Sequence, residues 1–268
     1  MDILQKIVDF KRTEVDERKG LFPIALLEKS TYFAGKPVSL KKYLLREDKS
    51  GIIAEIKRKS PSKGDINPYV SVERTSIGYM QAGASALSVL TDKEFFGGKN
   101  EDLMVARKFN FCPILRKDFM IDEYQVIEAK SIGADVILLI AAVLSPEEIN
   151  NLASLAKSLG MEVLLEVHSI EELQRSINPN IDVIGVNNRN LKTFEVSLQN
   201  SIDILPHIPA DFVAVSESGI KTPQDVVYLR NAGFKGFLIG ENFMTNSRPE
   251  IACKEFIEDI KRGEKLNA

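Results

Sequence analysis

Glu55 and Lys57 lie two residues apart in the apolar run Ile53-Ala-Glu-Ile-Lys57, a proton acceptor beside a proton donor. A β-strand sends alternate side chains to one face, so Ile53, Glu55 and Lys57 point one way and Ala54 and Ile56 the other. Taking both ions out of water is costly. Either the strand end opens into a cleft or the pair is a solvated edge. Polar residues also end other apolar runs: Lys117 and Asp118, Glu166 and His168, Asn187, Asn188 and Arg189, Glu217 and Ser218. Carboxylates and ammonium groups that converge on one place move protons and stabilise developing charge. Taken singly, Lys117 or Glu166 reads as an ordinary solvated strand end, and His168 as a packed histidine. Arg116 falls on the strand parity opposite to Lys117, which points to a structural or rim role.

Bringing these residues together requires a repeating scaffold, and the chain from Gly51 onward has one. Short apolar runs at 51–57, 84–90, 112–117, 134–140, 161–167, 181–187, 211–217 and 235–239 alternate with helical patterns at 71–82, 100–109, 122–132, 145–159, 169–176, 198–206, 222–232 and 249–262. This is the habit of βα units on a parallel sheet. Ser145-Pro-Glu-Glu148 and Thr222-Pro-Gln-Asp225 each combine a capping hydroxyl, a proline in the first turn and acids near the positive end of the helix dipole. Gly83, Gly133, Gly160 and Gly233 stand where a helix hands over to the next strand.

Polar residues reaching the same end of so many strands favour a single (β/α)8 TIM barrel over an open sheet, whose site uses only the crevice at its switch point. The barrel spans 51–268. Residues 1–50 form a helical extension packed on it: Ile3, Ile7 and Phe10 have helical spacing in a helix ending near Gly20, and further helical segments follow Pro23 and Ser39.

Composition narrows the function. A formal net charge of -3 argues against a broad nucleic-acid or membrane surface and leaves room for a local anion pocket. Cys112 and Cys253 are far apart with no CxxC or histidine-rich context, so neither a disulfide framework nor a metal site is indicated. An acid at position 2, no apolar leader and no long apolar run predict a cytoplasmic protein. Ser216-Glu-Ser-Gly-Ile220 and Phe237-Leu-Ile-Gly-Glu-Asn-Phe-Met244 place Gly219 and Gly240 after strands seven and eight. In such barrels these loops and a short extra helix form the recurrent phosphate site.

At this point the chain resembles a family. The stretches Ala54–Gly64, Leu87–Gly97, Pro113–Phe119, Leu165–Val167, Ile184–Arg189, Val215–Ile220 and Phe237–Gly240, in this order, are similar to those of the indole-3-glycerol phosphate synthases of tryptophan biosynthesis. The resemblance covers essentially the whole chain, the N-terminal extension included. It implies a carboxy-lyase that closes a ring, converting 1-(2-carboxyphenylamino)-1-deoxyribulose 5-phosphate into indole-3-glycerol phosphate with loss of carbon dioxide and water and no metal or organic cofactor.

By the same resemblance, Lys117 protonates the C2′ carbonyl and Lys57 contacts the substrate carboxylate or phosphate and donates in the dehydration. Glu166 stabilises positive charge on the anilino nitrogen, and Glu55 serves proton transfer and holds Lys57. Asn187 orients the reacting groups, Arg189 contacts substrate or steadies the mouth, and Ser218 lines the site. Gly219 and Gly240 offer backbone to the phosphate, and Ser60 rides a loop that closes over substrate. The partner implied is a small phosphorylated substrate, with room for weak association with other tryptophan-pathway enzymes.

Two positions depart from the common pattern. Asn190 stands where many members carry Asp, which weakens an ion pair steadying Arg189 to a hydrogen bond at best. Glu241 stands where some carry Ser, so only its backbone N–H can serve a phosphate there. The rivals are a phosphosugar isomerase such as phosphoribosylanthranilate isomerase, which has no use for two lysines with two glutamates, and a silent ligand-binding barrel, against which the intact Glu55, Lys57, Lys117 and Glu166 speak.

Overall fold

The computed structural model describes residues 3–191 and 193–267. Eight strands, β1 (Ile52–Ile56), β2 (Ala86–Leu90), β3 (Ile114–Lys117), β4 (Val136–Ile140), β5 (Glu162–Val167), β6 (Val183–Asn187), β7 (Val213–Glu217) and β8 (Gly236–Ile239), close in chain order into a parallel barrel. β8 pairs back onto β1, Leu238 lying opposite Ile53. Most strands begin one or two residues later than the sequence patterns suggest. The leading residues serve the turns instead: Asp135 accepts from the N–H groups of Val38 and Ile114, and Asp182 from that of Val163.

Strand parity divides the core as expected. Ile53, Ala86, Leu115, Leu138, Leu164, Val215 and Leu238 fill the barrel interior. Ile52, Ala54, Ile56, Leu87, Ile137, Leu165 and Ile239 face outward into the layer beneath the helices. Arg116 is also outward, fully buried and bonded to Glu128 (2.6 Å) and Asp118 (3.4 Å), which fits the structural role its parity suggests.

The outer layer contains α4 (Val72–Ala82), α5 (Asn100–Phe109), α6 (Glu123–Ser131), α7 (Pro146–Ser158), α8 (Ile170–Ser176), α9 (Gln199–Ile204), α10 (Pro223–Ala232) and α12 (Pro249–Asn267), with a one-turn α11 (Glu241–Met244) after β8. Ser145 and Thr222 form complete capping boxes, as their sequences imply. The helix expected at 198–206 instead tightens into a 3-10 turn at Leu205–His207, because Pro206 has no N–H to continue the ladder.

Residues 3–50 run like a strap from one end of the barrel to the other. α1 (Ile3–Leu21) continues through Gly20, crosses the C-terminal mouth, and descends along α6, where Arg18 meets Glu128 at 2.5 Å and Lys19 meets Asp122 at 2.6 Å. α2 (Ile24–Leu27) packs on α6, and α3 (Leu40–Leu44) closes the floor. Ser39 bonds Glu162 at the start of β5, and Leu40 and Leu44 join the interior cluster. Among the described residues, no helix is long and apolar enough to cross a membrane.

Candidate active site

The mouth of the barrel holds a cavity of about 540 Å³, a size suited to a small organic ligand. Glu55, Lys57, Ser60, Lys117, Glu166, Asn187, Arg189, Ser218, Gly219, Gly240 and Glu241 all line it, whereas His168 and Asn188 line a neighbouring cleft.

Glu55 and Lys57 share the interior face of β1, and Lys57 Nζ lies 2.9 Å from Glu55 Oε1. The other carboxylate oxygen of Glu55 accepts from the Ser88 hydroxyl at 3.4 Å. Across the β1–β8 seam Gly240 has no side chain because the Glu55 carboxylate occupies the place its Cβ would take. Besides any contact it offers a phosphate, Gly240 is thus a packing requirement of Glu55.

A second cluster centres on Lys117. Its ammonium lies 3.0 Å from Glu166 Oε2 and 2.5 Å from Glu217 Oε2. Burial works against the charge on Lys117, but Glu217, Glu166 and Glu55 outweigh it and hold the pKa above the usual lysine value. Burial also opposes charge on Glu166; Lys117, His168 and a hydrogen bond from Asn187 overcome it and bring that carboxyl down to about 2. Glu217 goes the other way. Burial, reinforced by neighbouring carboxylates and only partly offset by Lys117, pushes it up to about 7, and its Oε1 has no hydrogen-bond partner. The two acids that share one lysine are therefore driven in opposite directions, Glu166 down and Glu217 up.

Glu217 is the residue that sequence reasoning left out. It was visible only as a polar strand end, although its parity with Val213 and Val215 already aimed it inward. Gly185 makes room for it, since a Cβ there would run into the Glu217 carboxylate.

Opposite these charges the wall is apolar. Ile3, Leu4 and Ile7 of α1 form a roof, and Phe96 and Phe119 stack obliquely with ring centres 6.0 Å apart. Lys11 anchors the roof. It is 1% exposed and lies 2.8 Å from Glu14 and 2.9 Å from both Asp92 and Asp118 at the ends of β2 and β3. Asp92 in turn accepts the N–H groups of Phe95 and Phe96, so one ammonium ties the roof to the aromatic wall and to the residue beside Lys117.

At the far side Ser218 and Gly219 turn the chain after β7 with φ of 67° and 78°. A left-handed serine is strained, and the Asn188 side chain holds it by donating to the Ser218 carbonyl (3.0 Å) and to the Ser216 hydroxyl (2.9 Å). Ser60 and Gly64 lie on a small hairpin, Lys59–Ser60 against Gly64–Asp65, that carries Lys63 to within 3.0 Å of Glu241. Arg189 lies 3.8 Å from the same carboxylate. Glu241 thus meets two cations of the rim, Lys63 and Arg189.

Paired ammonium and carboxylate groups inside a closed parallel barrel, with an apolar wall on one side and glycine turns on the other, define a (β/α)8 enzyme for a small molecule that is part aromatic and part anionic. Comparison with known proteins narrows this class. The family model for indole-3-glycerol phosphate synthase matches residues 4–256. The chain is 50% identical over 260 residues to the indole-3-glycerol phosphate synthase of Bacteroides thetaiotaomicron, covering 97% of this chain and 99% of that protein. It is 43% identical over 262 residues to the one from Caldanaerobacter subterraneus, covering 97% and 100%. A solved structure described as native KDPGal, at 13% identity and a TM-score of 0.57, covers 80% of this chain and 94% of its own and shares the fold. The chain belongs to the indole-3-glycerol phosphate synthase family.

Proposed function

We propose that this chain closes the indole ring of 1-(2-carboxyphenylamino)-1-deoxyribulose 5-phosphate, with Lys117 as the acid of the first step. The observation that carries the reading is Lys117 held between Glu166 and Glu217 in the barrel mouth. The substrate's aromatic ring lies against Phe96, Phe119 and the α1 roof, and its phosphate against the Ser218–Gly219 turn and the backbone at Gly240 and Glu241. Ser60 and Lys63 approach on the hairpin, and Arg189 steadies the rim.

Lys117 donates to the C2′ carbonyl oxygen as the ring carbon bearing the carboxylate attacks C2′. The positive charge that develops on the anilino nitrogen faces Glu166, with Asn187 holding that carboxylate in place. Loss of carbon dioxide restores the aromatic ring. Lys57 then protonates the departing hydroxyl while Glu55 takes a proton from C1′, and water leaves. Glu217 fixes Lys117 between two acceptors. Within this reading residues 1–50 act as strap and roof and residues 51–268 as the catalytic barrel. The enzyme works in the cytoplasm without metal or organic cofactor, with weak association with neighbouring pathway enzymes left open.

Glu55 is the residue that separates the steps. In Glu55→Gln, carbon dioxide release is expected to outrun the appearance of indole fluorescence, because ring closure and decarboxylation precede the proton removal that Glu55 performs. Parallel loss of both signals would remove Glu55 from the dehydration.

A further inference from the structure

Each turnover of this reaction consumes one proton. The substrate's carboxylate leaves as neutral carbon dioxide and its C2′ oxygen as water. Two protons enter, one on the carbonyl oxygen and one on the departing hydroxyl, and one leaves C1′. Glu166 and Glu217 are buried and Lys117 is half-buried, and bound substrate would fill the mouth above them beneath α1. While substrate fills the mouth, replacing that proton calls for a route from another side.

The structure has such a side. A second cleft of about 630 Å³ opens between the loops after β4, β5 and β6, and His168 and Glu172 line it. From it a row of alternating oxygens and nitrogens leads inward. Glu172 Oε2 lies 3.3 Å from His168 Nδ1, and His168 Nε2 lies 3.5 Å from Glu166 Oε1. Glu166 Oε2 lies 3.0 Å from Lys117 Nζ. Glu172 Oε2 also accepts the His168 backbone N–H at 2.7 Å, which fixes the imidazole with Nε2 turned toward Glu166. That nitrogen is buried without a hydrogen-bond partner, an expense that a folded protein seldom leaves without use.

We propose that Glu172 and His168 form a relay that returns a proton from this cleft through Glu166 to Lys117 in every turnover. The inference rests on the synthase reading above. While Lys117 is an ammonium it holds Glu166 as an anion; once Lys117 has given its proton to the carbonyl, that hold is gone and Glu166 becomes a stronger base. The proton on His168 Nε2 moves to Glu166 Oε1, the carboxyl passes a proton from Oε2 to Lys117, and His168 is recharged from water in the cleft. The charged groups acting on the imidazole are Glu166 from β5, Glu172 from α8 and Glu217 from β7, and Arg175, Arg189 and Glu195 line the same cleft. Burial opposes the imidazolium, but the hydrogen bond to Glu172 and the charges of Glu166, Glu172 and Glu217 raise His168 above its ordinary 6.5. The imidazole therefore keeps its proton to higher pH than a free histidine does and loses it as the pH rises through that raised value. His168 and Glu172 act through Glu166 and are positioning residues.

The test uses the full chain with His168→Gln and, in parallel, Glu172→Gln at the edge of the cleft. In His168→Gln, kcat is expected to fall about tenfold while KM and product-analogue binding stay unchanged, a modest share of what proton transfer contributes. The solvent deuterium isotope effect on kcat should rise, the alkaline limb of the kcat profile should vanish, and added imidazole should restore turnover. Glu172→Gln should show a smaller loss with the same signature, and it decides the matter if the histidine variant does not fold. Undiminished kcat in both variants, or a loss that imidazole does not restore with an unchanged isotope effect, overturns the relay. A wild-type enzyme that forms no indole overturns the synthase reading instead, so the two failures are distinguishable.

Discussion

Lys117→Ala is expected to lower kcat by roughly 10²- to 10⁴-fold, the usual contribution of a positioned general acid, while binding of a product analogue changes little. In the proposed reading the substrate's ring and phosphate are held by the α1 roof, the two phenylalanines and the turns after β7 and β8, none of which Lys117 supports. What disappears is the only ammonium between Glu166 and Glu217, whose side chains approach it at 3.0 and 2.5 Å. Without it the two carboxylates have no cation to share, and one takes up a proton. The truncated site therefore stays able to bind and loses the donor to the carbonyl oxygen. Stopped-flow and steady-state indole fluorescence, with analogue binding measured in parallel, check this result. Unchanged turnover would remove Lys117 from the mechanism, and equal loss of binding and turnover would make it a binding residue.

Lys11→Met should have the largest effect on stability. Lys11 neutralises Glu14, Asp92 and Asp118, and removing one member of a buried ion cluster costs about 3–5 kcal/mol. For a chain of this size that corresponds to a Tm lower by about 10 °C. Burial opposes charge on Asp118, but Lys11 and then Arg116 overcome it and hold that carboxyl at about 2, below its ordinary 3.8. A depressed carboxylate adds stability that is fully present above pH 3.8 and is lost as the pH falls toward 2. The gap between wild type and Lys11→Met should accordingly narrow in that window when urea midpoints are compared. Because the same ammonium fixes α1 over the mouth, KM should rise in the variant as well. A variant as stable as the wild type at neutral pH would show that the cluster is not what holds the roof.

Much of this was legible in the residues because the physics behind it is local. Strand parity placed Glu55 and Lys57 in the interior and Arg116 outside, and the hydroxyl, proline and acid at Ser145 and Thr222 specified capped helix starts. Long-range pairings were not legible. The spacing of Ile3 and Ile7 required an apolar partner for α1 but did not say that the partner was the cavity. Likewise Leu40 and Leu44 gave no sign that they close the barrel floor. Glu217 reads only as a polar strand end because its partner Lys117 lies 100 residues earlier in the chain. Position 241 reads as a loss when set beside a phosphate. In space its carboxylate meets Lys63 and Arg189, a pairing that only the closed ring of strands brings about.

The central claim is that this barrel mouth makes indole. The most direct measurement is fluorescence after purified full-length protein is given 1-(2-carboxyphenylamino)-1-deoxyribulose 5-phosphate with no metal added. The account predicts a rising indole signal matched by equimolar carbon dioxide; no indole signal under those conditions would contradict it.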